Sequence, residues 1–199
     1  MTAVELSAFF VLATAMSFTP GPNTTLAAAL AANQGLRPAM RFVWAVPVGW
    51  VALLLLCASG VGALVMAVPA LRIALKAVGI AYLFWLAFKL SGSGRLADSR
   101  EGTGLVGFWQ GVGLQFVNIK AWLLALTIVA GWIAGQDNVA ARLAIVVPVM
   151  AAYAFASNFA YASVGALLRR WLSEGRRLLW FNRVMAAFLM LTALWMMRA

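Results

Sequence analysis

No histidine occurs among the 199 residues, and cysteine occurs once, as Cys57. A lone cysteine closes no internal disulfide, and the two absences together leave no cysteine–histidine metal site. Acidic residues are nearly as scarce: Glu5, Asp98, Glu101, Asp137 and Glu174 are all terminal or lie between apolar runs. Without histidine or paired carboxylates inside those runs, metal-assisted or acid–base catalysis has little to work with. The expectation is a protein that is not an enzyme and uses no cofactor and no metal. Charged residues make up only 10% of the chain, against about 25% in a soluble domain.

What is present is apolar. Hydrophobic residues account for 65% of the chain, and the mean hydropathy is +0.95. The expected class is an all-α integral membrane protein of one domain. The net charge of +10 raises the question of a nucleic-acid partner. The positive residues, however, sit in short loops between apolar runs, as membrane topology dictates. The expected surroundings are therefore a lipid bilayer, with no nucleic acid. The amino end carries Glu5 and no basic cluster, and its apolar run is too long for a signal peptide. It reads as a retained first helix.

About 20 apolar residues cross a bilayer, and six candidate spans follow: Val4–Asn33, Ala39–Val68, Leu71–Leu90, Leu105–Ile133, Arg142–Leu168 and Leu178–Met197. The polar stretch Ser91–Gly104 divides them into halves of three, 1–90 and 105–199. With an odd number of spans in each half, the second half enters the membrane from the opposite side. The expected fold is two inverted three-helix repeats with helices one and four broken, an arrangement of alternating-access transporters. Ten basic residues (Arg37, Arg41, Lys89, Arg95, Arg100, Arg169, Arg170, Arg176, Arg177, Arg183) fall on one side and four (Arg72, Lys76, Arg142, Arg198) on the other. The richer side is expected to be cytoplasmic, which puts both termini outside.

Tryptophans mark the interfaces. Trp44, Trp109, Trp132, Trp171, Trp180 and Trp195 lie near predicted span ends, whereas Trp50, Trp85 and Trp122 lie deeper and are expected to pack. Gly107 and Gly111 have the G-x-x-x-G spacing that permits close helix contact.

Two places carry the chemistry. The first is Pro20-Gly21-Pro22-Asn23, within the uncharged stretch Leu6–Leu36. Proline removes a backbone donor and pushes Thr19 out of helical angles. A break inside lipid is tolerated only where it faces protein or a water-filled cavity. A new half-helix is expected to start with Gly21 as cap and Pro22 at its first position. The amides of Asn23, Thr24 and Thr25 then offer an anion site, and the carbonyls near Ala15–Phe18 offer a cation site. A zwitterion needs both poles. The alternative is a proline kink satisfied by neighbouring helices.

The second place is Lys120, the one charge well inside a predicted span, flanked by Gln115, Asn118 and Trp122. A buried membrane lysine is energetically demanding and normally faces the bundle interior. Lys120 either binds a substrate carboxylate, carries a proton through a transport cycle, or locks the fold onto carbonyls freed at the first break. Since no carboxylate lies inside a span, it is the candidate for coupling. Asn158, in span five, either orients a ligand or pairs with another helix.

These residues resemble the LysE/RhtB superfamily of amino-acid exporters over nearly the whole chain. The signature T-P-G-P-N stands as Thr19-Pro20-Gly21-Pro22-Asn23, followed by Gly35 and Arg37. The pattern K-x-x-G-x-x-Y-L stands as Lys76, Gly79, Tyr82 and Leu83, and N-P-K becomes Asn118-Ile119-Lys120. Ile119 in place of proline implies a softer second break. Asn158 stands where the family often has an acid. The run Leu114–Lys120 looks most like the cysteine/O-acetylserine exporter branch, implying a small amino-acid-like substrate. The resemblance implies a multi-pass exporter of the bacterial cytoplasmic membrane that works by alternating access. Asn23, Thr24, Thr25, Gln115, Asn118, Lys120 and Asn158 are its expected substrate-binding residues, with Pro20, Gly21, Pro22 and Ile119 at the breaks. A passive channel is the rival reading, and counterflow separates the two. A homodimer is compatible with the general frequency of two-fold assemblies.

Overall fold

In a computed structural model of the chain, residues 1–92 and 106–198 are described. All but the first two residues of the Ser91–Gly104 linker, and the start of span four at Leu105, lie outside the described residues.

The described residues form helices joined by short turns. Helix α1 (Ala3–Phe18) starts with a reciprocal cap, in which Glu5 N donates to Thr2 Oγ1 at 3.2 Å and Thr2 N donates to Glu5 Oε2 at 2.6 Å. It stops at Thr19, which is extended (φ −65°, ψ 130°) as a residue before proline must be. Helix α2 (Pro22–Gln34) restarts the span after a bend of 47°. Gly21 is its cap and Pro22 its first residue.

Gly35, at φ 90°, ends α2 and turns the chain into α3 (Leu36–Ala58). That angle disfavours any residue with a Cβ. Span two ends earlier than the expected Val68. The chain turns at Ser59 and at Gly60 (φ 91°), and the remainder forms α4 (Val61–Ala67), too short to cross a bilayer. Helix α5 (Pro69–Ser91) follows.

The second broken span consists of α6 (Phe108–Val117) and α7 (Ile119–Ile128), prolonged by a π-helical turn over Val129–Ile133. Helices α8 (Val139–Leu172) and α9 (Arg177–Arg198) complete the fold. Four helices, α3, α5, α8 and α9, are long and apolar enough to cross a membrane; the number is six if each bent pair is one span.

Helix α2 is the centre of the bundle. Eleven of its thirteen residues are buried, which is possible because five of them are alanine and neighbouring backbones can close in. Gly165 of α8 sits so close to the Ala28 carbonyl that a Cβ there would collide with it. By contrast α1 buries only Phe9 and Ala13. Two apolar clusters result. One gathers α2, α5, α9 and the first part of α3, through Leu26, Leu30, Phe42, Leu86 and Leu189. The other gathers α1, α7, the last part of α3 and the first part of α8, through Phe9, Leu53, Trp122, Ile128 and Met150. Both helix breaks lie where the two clusters meet.

Of the glycine pair, Gly111 makes a close helix contact: a Cβ there would sit 2.8 Å from the Ala45 Cβ on α3. Gly107 caps α6 and faces only its own Gln110. Trp50 and Trp122 are packed, as expected of deep tryptophans, but Trp85 is 45% exposed. Helical phase, not depth, decides this: Leu83, Leu86, Ala87 and Leu90 hold the buried face of α5, and Trp85 lies off it. Lys89, one turn on, places its ammonium 5.2 Å from the Trp85 ring.

Candidate functional site

The two breaks answer each other's unsatisfied backbone groups. At the first, Thr19 N donates to the Ala15 carbonyl at 3.2 Å, and the Tyr161 hydroxyl donates to the Phe18 carbonyl at 3.0 Å. The Thr19 carbonyl accepts from Lys120 Nζ at 2.8 Å. The carbonyls of Ala15 and Phe18, expected to hold a cation, are thus taken by the protein's own donors. The fold-locking contact of Lys120 is present, and it leaves two of the three ammonium donors for other partners.

The second break is present without a proline: the helix axis turns by 67°, against 47° at the first. Asn118 is extended (φ −89°, ψ 101°), and its side-chain oxygen accepts from Lys120 N at 3.1 Å. An asparagine cap starts a helix without help from proline. Ile119 is merely the first helical residue of α7. Trp122 reaches back across the break, its Nε1 donating to the Phe116 carbonyl at 2.8 Å.

A pair of side-chain amides joins the two broken helices. Asn23 Nδ2 donates to Gln115 Oε1 at 2.9 Å, and Gln115 Nε2 donates to Asn23 Oδ1 at 3.1 Å. Gln115 is itself held by the Gly111 carbonyl at 3.0 Å.

Between the breaks lies a cavity of about 60 Å³, room for roughly four to six water-sized groups. Asn23, Thr24, Asn118, Lys120 and Asn158 line it, with Thr19, Gly21 and Pro22 from the first break. Thr25, Gln115, Pro20 and Ile119 are not in its wall. The Thr25 amide is spent on the Gly21 carbonyl at 3.0 Å, and the Gln115 side chain on Asn23 and Gly111. The Gly21 amide goes to Thr24 Oγ1 at 3.0 Å. Early amides of a helix have no partner within it, which leaves those of Asn23 and Thr24 at the cavity. The rest of the wall is mostly apolar, with Met16, Val46, Trp50, Leu124 and Met150. The wall contains one formal charge, Lys120, and no carboxylate. Its chemistry suits a small anion or the carboxylate end of a zwitterion.

Ser157 and Tyr161 were not anticipated. Ser157 lines the cavity beside Asn158, and Tyr161 caps the first break. Their spacing around Asn158, on one face of α8, was the available signal.

The helices and this cavity define a multi-pass membrane protein with a polar site between two broken helices. The sequence profile of the LysE type translocators matches residues 14–199, and the chain belongs to that family. It is similar to the cysteine/O-acetylserine efflux protein of Salmonella typhi, with 34% identity over 170 residues, 85% of this chain and 87% of that protein. The protein of the same description from Klebsiella pneumoniae is 33% identical over 186 residues, 90% of this chain and 92% of the other. That of Escherichia coli O6:K15:H31 is 32% identical over 194 residues, 97% of each. No solved structure matches the chain.

Proposed function

We propose that this chain is a secondary active exporter of small amino acids or their derivatives across the bacterial cytoplasmic membrane. The observation that carries the reading is Lys120. Lys120 lines a cavity that has no carboxylate among its described residues, together with Asn23 and Thr24 from the first turn of α2. An amino-acid carboxylate supplies the missing negative charge. Membership of the translocator family and the efflux relatives support the direction and the substrate class.

In this reading each bent pair is one span. The six spans form inverted halves, 1–90 and 105–199, joined by the 91–104 linker, with both termini outside. The order of elements supports the pairing: each half opens with a broken helix, follows with a helix carrying an internal proline (Pro47, Pro148), and closes with one unbroken span. Alternating access rocks the halves about the cavity, and Lys120, the titratable group among the described residues of its wall, is the candidate for coupling export to proton movement. Gln115 and Thr25 support the site from behind, and Asn118 shapes its span-four wall. One chain supplies the whole cavity wall, so a homodimer would pair two complete sites.

The test is counterflow in liposomes holding the purified protein. A carrier accelerates the exit of labelled cysteine when unlabelled cysteine is added on the other side. Exit indifferent to that addition identifies a passive channel and overturns the reading.

A further inference from the structure

Asn158, a residue of the cavity wall, carries a side-chain acceptor that the described residues leave unmatched. The residue is 2% exposed, and its Nδ2 donates to the Ala154 carbonyl at 2.8 Å. Its Oδ1 is buried without a hydrogen-bond partner among the described residues. The orientation of the amide is fixed, because a carbonyl oxygen 2.8 Å away can face only the donating nitrogen end and would repel the oxygen end. A buried acceptor of this kind carries a desolvation penalty until a donor meets it.

The position of Asn158 is equally fixed. Ala154, Asn158, Tyr161 and Gly165 share one face of α8 by their helical spacing. Tyr161 anchors that face to the Phe18 carbonyl, and Gly165 rests against the Ala28 backbone. Asn158 is therefore held beside the first break, where it lines the cavity with Ala154 and Ser157.

We propose that Asn158 recognises the ammonium group of the substrate. Its Oδ1 accepts an N–H from the α-ammonium, while the carboxylate of the same molecule faces Lys120 and the amides of Asn23 and Thr24. This inference rests on the exporter reading and adds the polarity of the bound molecule. Three exclusions follow. An N-acylated amino acid has no ammonium to offer. A free amine without a carboxylate meets the charge of Lys120 uncompensated. A cationic side chain finds only apolar wall at Val46, Trp50, Leu124 and Met150.

O-acetylserine and N-acetylserine contain the same atoms, yet only the first carries an ammonium group. Their binding is measured on purified full-length protein in lipid nanodiscs, in mildly acidic buffer that keeps the acetyl group on oxygen. The unaltered protein should prefer O-acetylserine by about tenfold or more, the worth of one hydrogen bond to a charged group. Asn158→Leu should bring the two affinities within about threefold of each other, a small fraction of one such bond. Asn158→Asp, nearly the same shape, should keep or increase the preference, which guards against a leucine variant that does not fold. Equal binding of the two compounds to the unaltered protein overturns the proposal, and so does a preference that survives Asn158→Leu. In that second case export of the free amino acid would persist, so the exporter reading would stand without it. If neither compound nor cysteine binds the unaltered protein, both fall together.

Discussion

Lys120 Nζ donates to the Thr19 carbonyl at 2.8 Å, across 101 residues of sequence. One hydrogen bond thereby ties the start of α7 to the residue that ends α1. Both ends are helix interruptions, and each supplies what the other lacks: a freed carbonyl on one side and a half-buried cation on the other. The bond is single, so the lysine both holds the site together and remains available within it.

Gly21 lies against that lysine. A Cβ at this position would sit 3.3 Å from both Cδ and Nζ of Lys120. The backbone there is extended (φ −167°, ψ −174°), so a side chain meets a steric obstacle and no conformational one. Gly21→Ala should insert normally and export at a reduced rate. Gly21→Leu, which fills the break, should lose export by more than about tenfold at unchanged membrane content, since overpacking a filled site forces displacement. Efflux rates normalised to membrane protein check both; normal export by the leucine variant would make the break purely structural.

The Asn23–Gln115 pair should show strong coupling. Gln115→Leu removes both hydrogen bonds of the half-buried Asn23 amide to Gln115, at a cost of about 1–3 kcal/mol for the two. The double variant Asn23→Leu/Gln115→Leu removes both partners and should recover part of that loss. Export should not recover, because Asn23 lines the cavity. Thermal unfolding in detergent, set beside efflux, separates the two effects. Additive stability losses would show that the pair does not act as a unit.

Ile119→Pro should be tolerated. Asn118 already has the extended geometry that a following proline imposes, and Ile119 is the first residue of α7, where proline's missing donor is harmless. Asn118→Ala, by contrast, removes the cap on the Lys120 amide and should cost about 0.5–2 kcal/mol. Asn118→Ser should restore much of it. Melting temperatures of the three variants give the comparison, and a proline variant less stable than the alanine variant would contradict this account of the break.

The seat of α8 on α2 depends on Gly165. A Cβ there collides with the Ala28 carbonyl, whereas one at Gly113 meets nothing within 4 Å. Gly165→Val should therefore destabilise by about 1–3 kcal/mol or more, and Gly113→Val should do far less. Unfolding of the two variants side by side is the check.

Much of this was legible in the sequence because it rests on local rules. Pro20-Gly21-Pro22 dictates a break wherever it occurs, and the start of α2 at Pro22 follows from backbone geometry alone. Lys120 was conspicuous because charge is rare in apolar runs. The end of span two was not legible: Ser59 and Gly60 lie within an apolar stretch, and only a positive φ at Gly60 turns the chain there. The fate of the Ala15–Phe18 carbonyls was hidden for another reason. Their partners depend on which helices become neighbours, so Tyr161, 143 residues from Phe18, could not be paired with it from sequence. The same holds for Gln115, whose role as the partner of Asn23 is a product of helix packing. That helix four breaks without a proline was not legible either, because the break rests on the capping side chain of Asn118.

The most direct test of the central claim is the affinity of purified, nanodisc-held protein for cysteine, measured with and without Lys120→Met. If the cavity between the breaks holds the substrate's carboxylate, the unaltered protein binds cysteine. Lys120→Met then loses at least about tenfold in affinity, the worth of a charged hydrogen bond, while keeping a monodisperse, helical fold. Undiminished binding by a well-folded Lys120→Met protein would contradict the account and reduce Lys120 to a structural tie between two broken helices.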